Sequence, residues 1–361
     1  MATNRVAPVD QAIIGGVDTH KDLHLAAAIT ETGRLLGTAA FPTTPQGYRR
    51  LLGWLQGFGH PSRVGIEGTG SYGAGLTRFL QAEGVEVVEV NRPNRQWRRR
   101  HGKSDPADAE AAARTALAGQ GAGIPKSQDG RVEAIRVLRL ARRSAVKART
   151  QAGNQVLAIL NTAPEELRRL CQGRRLVDLV AMAQRFRCKT ATTPLMAAKV
   201  ALRALAQRWS ALDAEIHRLD SQLESLVTMA APSLLELPGV GIETAGALLV
   251  AAGDNPDRLT SEASFAALCG VTPVDASSGR QKRHRLNRGG NREANRALWV
   301  VAMVRMSRDR RTREYVTRRT TEGLTKKEII RCLKRYIARE IYRVLLPVVP
   351  KTPGGSSEAA A

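Results

Sequence analysis

The sequence predicts an α/β plus all-α protein: a sheet-and-helix domain at the amino end, a helical middle and a helical carboxyl-terminal domain. Three observations carry this. Short apolar runs divided by turn formers fill the first 90 residues, and from about Arg131 the apolar positions recur at helical spacing. Charge is segregated in the same way. Residues 1–90 hold 7 Lys or Arg against 8 Asp or Glu, whereas Arg280 to Arg343 holds 21 against 6, a net +15.

Taken in order, AIIGGVDTH reads as a buried strand ending at Asp18, LHLAAAIT as a second and RLLGTAAFP as a third, which makes a meander. A helical stretch from Pro45 to Gln56 follows, then a strand RVGIE ending at Glu67 and a helix from about Ser71 to Glu83. The strand VEVVEV runs into Asn91, and a further helix follows Asp105. Three antiparallel strands followed by alternating strand and helix is the order of a ribonuclease-H-like core. This domain is placed at residues 11–125.

The helical middle, 126–230, contains Leu202, Leu205, Trp209, Leu212, Ile216, Leu219, Leu223 and Leu226, whose spacings alternate three and four. That heptad seam predicts a coiled coil, between subunits or as an antiparallel hairpin within one, while a core helix of an ordinary bundle fits the spacing equally. Residues 231–346 form the third part. Its LPGVGIETAGALL segment sets Gly239 and Gly241 between helical pieces, a helix-hairpin-helix-like pattern whose backbone N–H groups can hold a phosphate, although a plain helix turn also uses Pro and Gly. The last helix opens on a Thr325-x-x-Glu328 capping box and buries Ile330, Leu333, Ile337, Ile341 and Val344. Residues 347–361 read as a flexible tail.

A formal net charge of +23 over 361 residues calls for a polyanionic partner, for which nucleic acid is the default, and 43% hydrophobic residues supply real cores. Cys171, Cys188, Cys269 and Cys332 are widely separated, which argues against a zinc ribbon or a disulfide framework. With no membrane-length apolar run and no signal-peptide core, a cytoplasmic location is expected.

Asp18 and Glu67 end strands, and Asp105-Pro-Ala-Asp108 opens a helix on which residues three apart share a face. If the strands are neighbours, four carboxylates converge, and repelling carboxylates with a phosphodiester substrate suit a Mg²⁺ pair. Singly, each has a plainer role as a cap, turn or surface acid. His20 and His24 have no metal-ligand spacing and read as incidental.

Near the carboxyl end, Ser277-Ser278-Gly279 is turn chemistry by residue type alone. A serine becomes a useful nucleophile when a base, a metal or positive charge stabilises its alkoxide, and Arg280, Lys282, Arg283 and Arg285 can supply such charge. NRGGNR, Asn287 to Arg292, reads as a phosphate-holding loop before a helix carrying Arg292 and Arg296 one turn apart, with Arg288 and Asn291 in the loop. A solvated basic helix end is the plainer alternative for those arginines.

GVDTHKD, IEGTGSY, KSDPADAEAAAR and FAALCGVTPVDASSGRQKRHRLNRGGNREANRALW together resemble the DEDD-type insertion-sequence transposases, relatives of the Piv-type DNA invertases. The resemblance covers roughly residues 13–118 and 235–345. It implies a RuvC-like domain in which Asp18, Glu67, Asp105 and Asp108 bind Mg²⁺, and a separate transposase domain in which Ser278 is the nucleophile. It further implies strand exchange between donor and target double-stranded DNA through a covalent phosphoserine, guidance by a bridge RNA, and a homo-oligomer of four subunits. Apart from the family pattern, nothing in the sequence chooses Ser278 over Ser277. Two other readings stand beside this one: a RuvC-like two-metal endonuclease of the junction-resolving type without a covalent intermediate, and a non-catalytic nucleic-acid-binding protein.

Overall fold

A computed structural model describes residues 11–90, 104–119, 122–187, 190–278 and 284–346. Two compact units divide the chain, Met1–Asp129 with Ala252–Thr260, and Gly130–Ala251 with Ser261–Ala361. The expected tail at 347–361 lies outside the described residues.

The first unit is a mixed α/β domain. Strands β1 (Ala12–Thr19), β2 (Leu23–Thr30) and β3 (Leu35–Pro42) form the expected antiparallel meander, with Val17 opposite Ala26 and Ala27 opposite Thr38. Helix α1 (Pro45–Gln56) has the expected bounds; the Thr44 hydroxyl caps it by accepting from Gly47 N, and Pro45 sits in its first turn, where no intrahelical N–H bond is needed. This crossover lets β4 (His60–Glu67) pair parallel to β1, after which α2 (Ala74–Ala82) leads to β5 (Glu86–Val90), parallel to β4. Helix α3 spans Asp105–Ala118, and the two-residue β6 (Ala122–Gly123) completes the order β3-β2-β1-β4-β5-β6.

The faces of the sheet are covered differently. One packs Ile13, Val17, Val64 and Ile66 under Leu51 and Leu55 of α1 and Leu76 and Leu80 of α2. The other takes α3 at very short range. A Cβ at Gly16 would lie 2.2 Å from Ala113 N, and one at Gly65 would lie 2.5 Å from Ala112 O. Two glycines in neighbouring strands thus let the alanine stripe of α3 rest on the sheet backbone.

A return segment completes this unit. The Asn255 side chain donates to Pro125 O at 3.0 Å and accepts from Ser127 N at 3.1 Å, and Arg258 donates to Ile124 O at 3.1 Å.

The second unit is helical. Its long helices α4 (Arg131–Thr162) and α7 (Pro194–Ala230) lie antiparallel, because Arg131 reaches Met229 O, Arg142 pairs with Asp220 and Arg149 with Asp213. Partner numbers that fall as the other numbers rise define opposed chain directions. The heptad seam therefore has a partner within the chain: Leu202, Ile216 and Leu223 are buried, and Leu205, Trp209, Leu212, Leu219 and Leu226 are half-buried. Helices α5 (Glu165–Cys171) and α6 (Leu176–Gln184) add Leu167, Leu179 and Val180 to a core with Val156 and Leu202.

Beyond them come α8 (Pro232–Leu235), α9 (Ile242–Ala252), α10 (Glu262–Leu268), the strand pair β7 (Val274–Asp275) and β8 (His284–Arg285), and helices α11 (Arg292–Arg308), α12 (Arg310–Thr321) and α13 (Lys326–Leu345). The Thr325–Glu328 capping box is present at α13. Its buried face is Ile329, Leu333, Ile337 and Ile341; Ile329 takes the place expected for Ile330, which is half-buried, as is Val344. No described helix is long and apolar enough to cross a membrane.

Candidate active site

The acidic site follows from strand pairing and from the two glycines. β1 and β4 run parallel side by side, with Val17 opposite Ile66, so Asp18 and Glu67 stand at neighbouring carboxyl ends. The Thr19 hydroxyl ties these ends together by donating to Glu67 O at 2.8 Å. Side chains alternate across a sheet, so Asp18 shares the face of Gly16, and Glu67 that of Gly65, which is the face covered by α3. On α3, Asp105 and Asp108 lie on the stripe that continues through Ala109, Ala112 and Ala113. The close approach that brings those alanines onto the sheet therefore carries both aspartates toward the strand ends.

Asp18 and Asp108 are buried, at 8% and 4% exposure, while Asp105 is exposed. Burial raises the Asp18 carboxyl above its ordinary value of 3.8, His20 works against the rise, and the Asp108 and Asp105 charges add to it. His20 Nε2 stands 3.2 Å from Asp18 Oδ2 and 3.7 Å from Asp105 Oδ2. Asp18, His20 and Asp105 each offer a ligand atom within 4.8 Å of the others. Mutually repelling carboxylates, one of them buried with its pKa raised, fit a divalent cation, and Asp18, Asp105 and His20 are the residues that could hold it.

His20 corrects the sequence reading. It follows Asp18 by two residues in the tight β1–β2 connection, which turns its ring toward Asp105, a residue distant in sequence. His24 does lie off the site. It is fully buried on β2, stacked on Tyr48 with ring centroids 5.8 Å apart, and its two ring nitrogens lack hydrogen-bond partners among the described residues.

In the second unit, Ser277 and Ser278 are both exposed. They differ in their surroundings. The Ser277 N–H and hydroxyl both donate to Asp275 Oδ1, which holds the Asp275 carboxyl below its ordinary range. The sequence signal for Asp275 is its position two residues before Ser277, the spacing of an Asx turn. Of the expected basic partners, Arg280, Lys282 and Arg283 lie outside the described residues, whereas Arg285, Arg288, Arg292 and Arg296 are exposed, the last two one turn apart on α11.

The glycine and asparagine positions carry structural work. Gly239 adopts φ +77 in the turn before α9, and the Gly241 N–H is taken by the Thr244 hydroxyl at 2.9 Å. The Asn291 side chain caps α11, accepting from Glu293 N at 2.9 Å and Ala294 N at 3.1 Å. Gly290, at φ +81, lies where a Cβ would meet Gly270 N at 2.5 Å, so NRGGNR crosses the Gly270 turn backbone to backbone. Also unforeseen is Asn295, whose amide donates to Cys269 O and Gly270 O and whose carbonyl accepts from the nearly buried Lys334 at 2.9 Å.

A carboxylate cluster at parallel strand ends in a mixed sheet, with a basic helical unit in the same chain, fits an enzyme acting on nucleic acid, and comparison with known proteins gives the family. Residues 15–164 match the family model of the DEDD-type IS110 transposases, described as Transposase, and residues 231–317 match that of the Transposase IS116/IS110/IS902 family. The chain belongs to this family of insertion-sequence transposases. It is similar to the 43.6 kDa protein of insertion element IS110 from Streptomyces coelicolor, 31% identical over 145 residues, which is 39% of this chain and 36% of that protein. It is also similar to the mini-circle transposase assigned to IS117 from the same organism, 26% identical over 355 residues, covering 81% of this chain and 84% of that one. The 42 kDa protein of insertion element IS900 from Mycobacterium paratuberculosis is 29% identical over 168 residues, 46% of this chain and 42% of that protein.

Proposed function

We propose that this chain moves an insertion sequence by Mg²⁺-dependent cleavage and exchange of DNA strands between donor and target duplexes through a covalent phosphoserine. The observation that carries the reading is the meeting of Asp18, His20 and Asp105 beside Asp108 at the end of β1. In this reading residues 11–125 are a RuvC-like domain, 126–230 a helical, coiled-coil-forming region and 231–346 the serine-bearing domain. A bridge RNA pairs with both DNAs, leaving the protein to read shape and backbone, and the working particle is a tetramer.

Asp18, His20 and Asp105, with Glu67 and Asp108 beside them, would hold the cation. When bound, Mg²⁺ neutralises charge developing on the phosphodiester. The residues of the second unit carry the covalent step. The Ser278 hydroxyl oxygen attacks phosphorus, forming a Ser278 Oγ–P bond as one deoxyribose C–O–P linkage breaks at phosphorus; the leaving deoxyribose oxygen departs with the proton that the serine gives up. Attack by a deoxyribose hydroxyl from a second strand reverses the chemistry and restores serine, so rejoining needs no ATP. Arg285 and the charges following Ser278 clamp the phosphate oxygens. Ser278 is taken as the nucleophile on the family pattern alone; Ser277, whose hydroxyl donates to Asp275, has a carboxylate base at hand and is the second candidate.

The test incubates protein, Mg²⁺, the element's RNA and labelled donor and target DNA, then maps any denaturation-resistant protein–DNA adduct by mass spectrometry. An adduct on Ser278, lost in Ser278→Ala and retained in Ser277→Ala, is expected, and Asp18→Asn abolishes cleavage. Cleaved DNA without an adduct, unaffected by either serine substitution, would make the chain a metal-dependent endonuclease.

A further inference from the structure

The second unit contains a cleft of about 870 Å³ that shares only Arg285 with the catalytic step above. One wall is the segment leading to the serines, from Gly270 through Thr272 to Ala276, with His284 and Arg285 of β8. The opposite wall is a flank of α13. There Arg331, Arg335 and Arg339 recur every four residues, about 6 Å apart along the helix axis, comparable with successive phosphates of an extended strand. Five cationic side chains, Arg285, Arg331, Lys334, Arg335 and Arg339, line the cleft, and two carboxylates, Glu328 beside Arg331 and Glu262 beside Arg335 and Arg339, offset only part of their charge.

Three details point to a ligand rather than to a solvated basic face. Lys334 is only 7% exposed and its ammonium has a neutral hydrogen-bond partner, Asn295, at 2.9 Å. Burial and the neighbouring Arg331 charge hold it below the ordinary lysine value, the condition that an arriving anion relieves. Arg335 and Arg339 are both directed by Glu262, Arg339 Nε at 3.2 Å from its Oε2, so their forks are oriented rather than free to sweep solvent. Tyr336, 53% exposed, presents an aromatic surface into the same cleft and is braced edge-on by Tyr315 at 5.8 Å.

A charged groove that tracks a backbone, combined with an aromatic platform on which a base can stack, is how proteins hold unpaired nucleic acid. The volume falls within the range of small-ligand pockets, about 300–1,000 Å³, which suits a nucleotide or two. We infer that this cleft binds an unpaired DNA strand, with a base stacked on Tyr336 and phosphates on Arg331 and Arg339, and delivers it along the wall that ends at Ser277 and Ser278. The inference rests on the reading of this chain as a DNA strand-exchange enzyme and adds to it the state of the DNA at the serine: melted rather than paired.

The test uses the full chain in chelator without Mg²⁺, so that no cleavage intervenes, and measures fluorescence anisotropy with a fluorescein-labelled twelve-residue thymidine strand, the corresponding dA·dT duplex and a twelve-residue uridine RNA. Tyr336→Ala is expected to weaken binding of the thymidine strand about ten-fold, with duplex binding kept within two-fold and Tyr336→Phe close to wild type. Arg331→Gln lowers the salt slope of strand binding by about 0.7. Unchanged thymidine binding in Tyr336→Ala, or equal loss on strand and duplex, would overturn the inference, and loss confined to the RNA would overturn its assignment to DNA. Ser278→Ala keeps thymidine binding. An absent serine adduct together with an intact Tyr336 effect would therefore remove the covalent mechanism and leave the cleft standing.

Discussion

Replacing Gly16 by alanine tests how the acids are placed without touching any of them. The added Cβ would lie 2.2 Å from Ala113 N and 2.3 Å from Ala109 O, where non-bonded contacts of carbon settle near 3.5 Å. Both neighbours are helix backbone, so no rotamer change relieves the clash, and α3 has to retreat from β1 by about 1 Å. Overpacking of this kind costs about 1–3 kcal/mol, or roughly 4–12 °C in Tm at about 4 °C per kcal/mol. Because Asp105 and Asp108 ride on α3, the same shift moves them away from Asp18, and a displacement of about 1 Å costs on the order of 100-fold in rate. Gly53→Ala is the matched control. It lies inside α1 with nothing within 4 Å of a built Cβ, so the same chemical change stabilises by about 0.5–1 kcal/mol. Thermal unfolding by circular dichroism reads the first effect, and Mg²⁺-dependent nicking of donor DNA, measured below both melting temperatures, reads the second. A Gly16→Ala protein as stable as wild type would refute the close packing of α3. A destabilised one that nicks at the wild-type rate would refute its role in placing the aspartates.

Two further outcomes are expected. Burial lowers the His24 pKa from 6.5 to about 4, so the folded state favours the neutral ring; that stabilisation is complete above pH 6.5 and is lost as pH falls toward 4. The difference corresponds to roughly 3 kcal/mol, and His24→Phe should flatten urea-unfolding stability between pH 4.5 and pH 7; an unaltered pH profile would exclude His24 as its source. Asn291→Ala, which removes both acceptor bonds to α11, should cost about 1 kcal/mol, whereas Asn291→Asp keeps the cap and the stability. Equal stability of both variants in urea would show that the cap is not what Asn291 contributes.

Much of the first unit is legible in the sequence. The meander, α1 to its terminal residues and the strand carrying Glu67 follow from apolar runs bounded by Gly, Pro and Thr, because turn chemistry and side-chain alternation act over a few residues. The acids were legible for a similar reason: each stands at the end of an element whose end is itself a local event. His20 was not. Its partner Asp105 lies far along the chain, and spacing rules for metal ligands see only residues on one element. Nor are the partners of Gly241 and Asn291 legible: the Gly241 N–H is taken by Thr244 and the Asn291 side chain caps α11, and whether a polar group is already satisfied depends on what folds against it.

The heptad seam marks the division most clearly. Leucines at alternating three and four spacing establish that α7 buries one stripe, and that follows from helical periodicity alone. Which helix covers the stripe is set by Arg142 meeting Asp220 and Arg149 meeting Asp213, pairs distant in sequence that exist only once the chain has doubled back. Likewise, the residue pattern could call for a carboxylate site, but its assembly required Gly16 and Gly65 to lie under α3, a contact of backbone against backbone. Local propensity is encoded within a turn or two of chain. Adjacency is decided by which distant surfaces bury each other best, and in this protein that choice placed His20 with the acids and opened the basic cleft beside the serines.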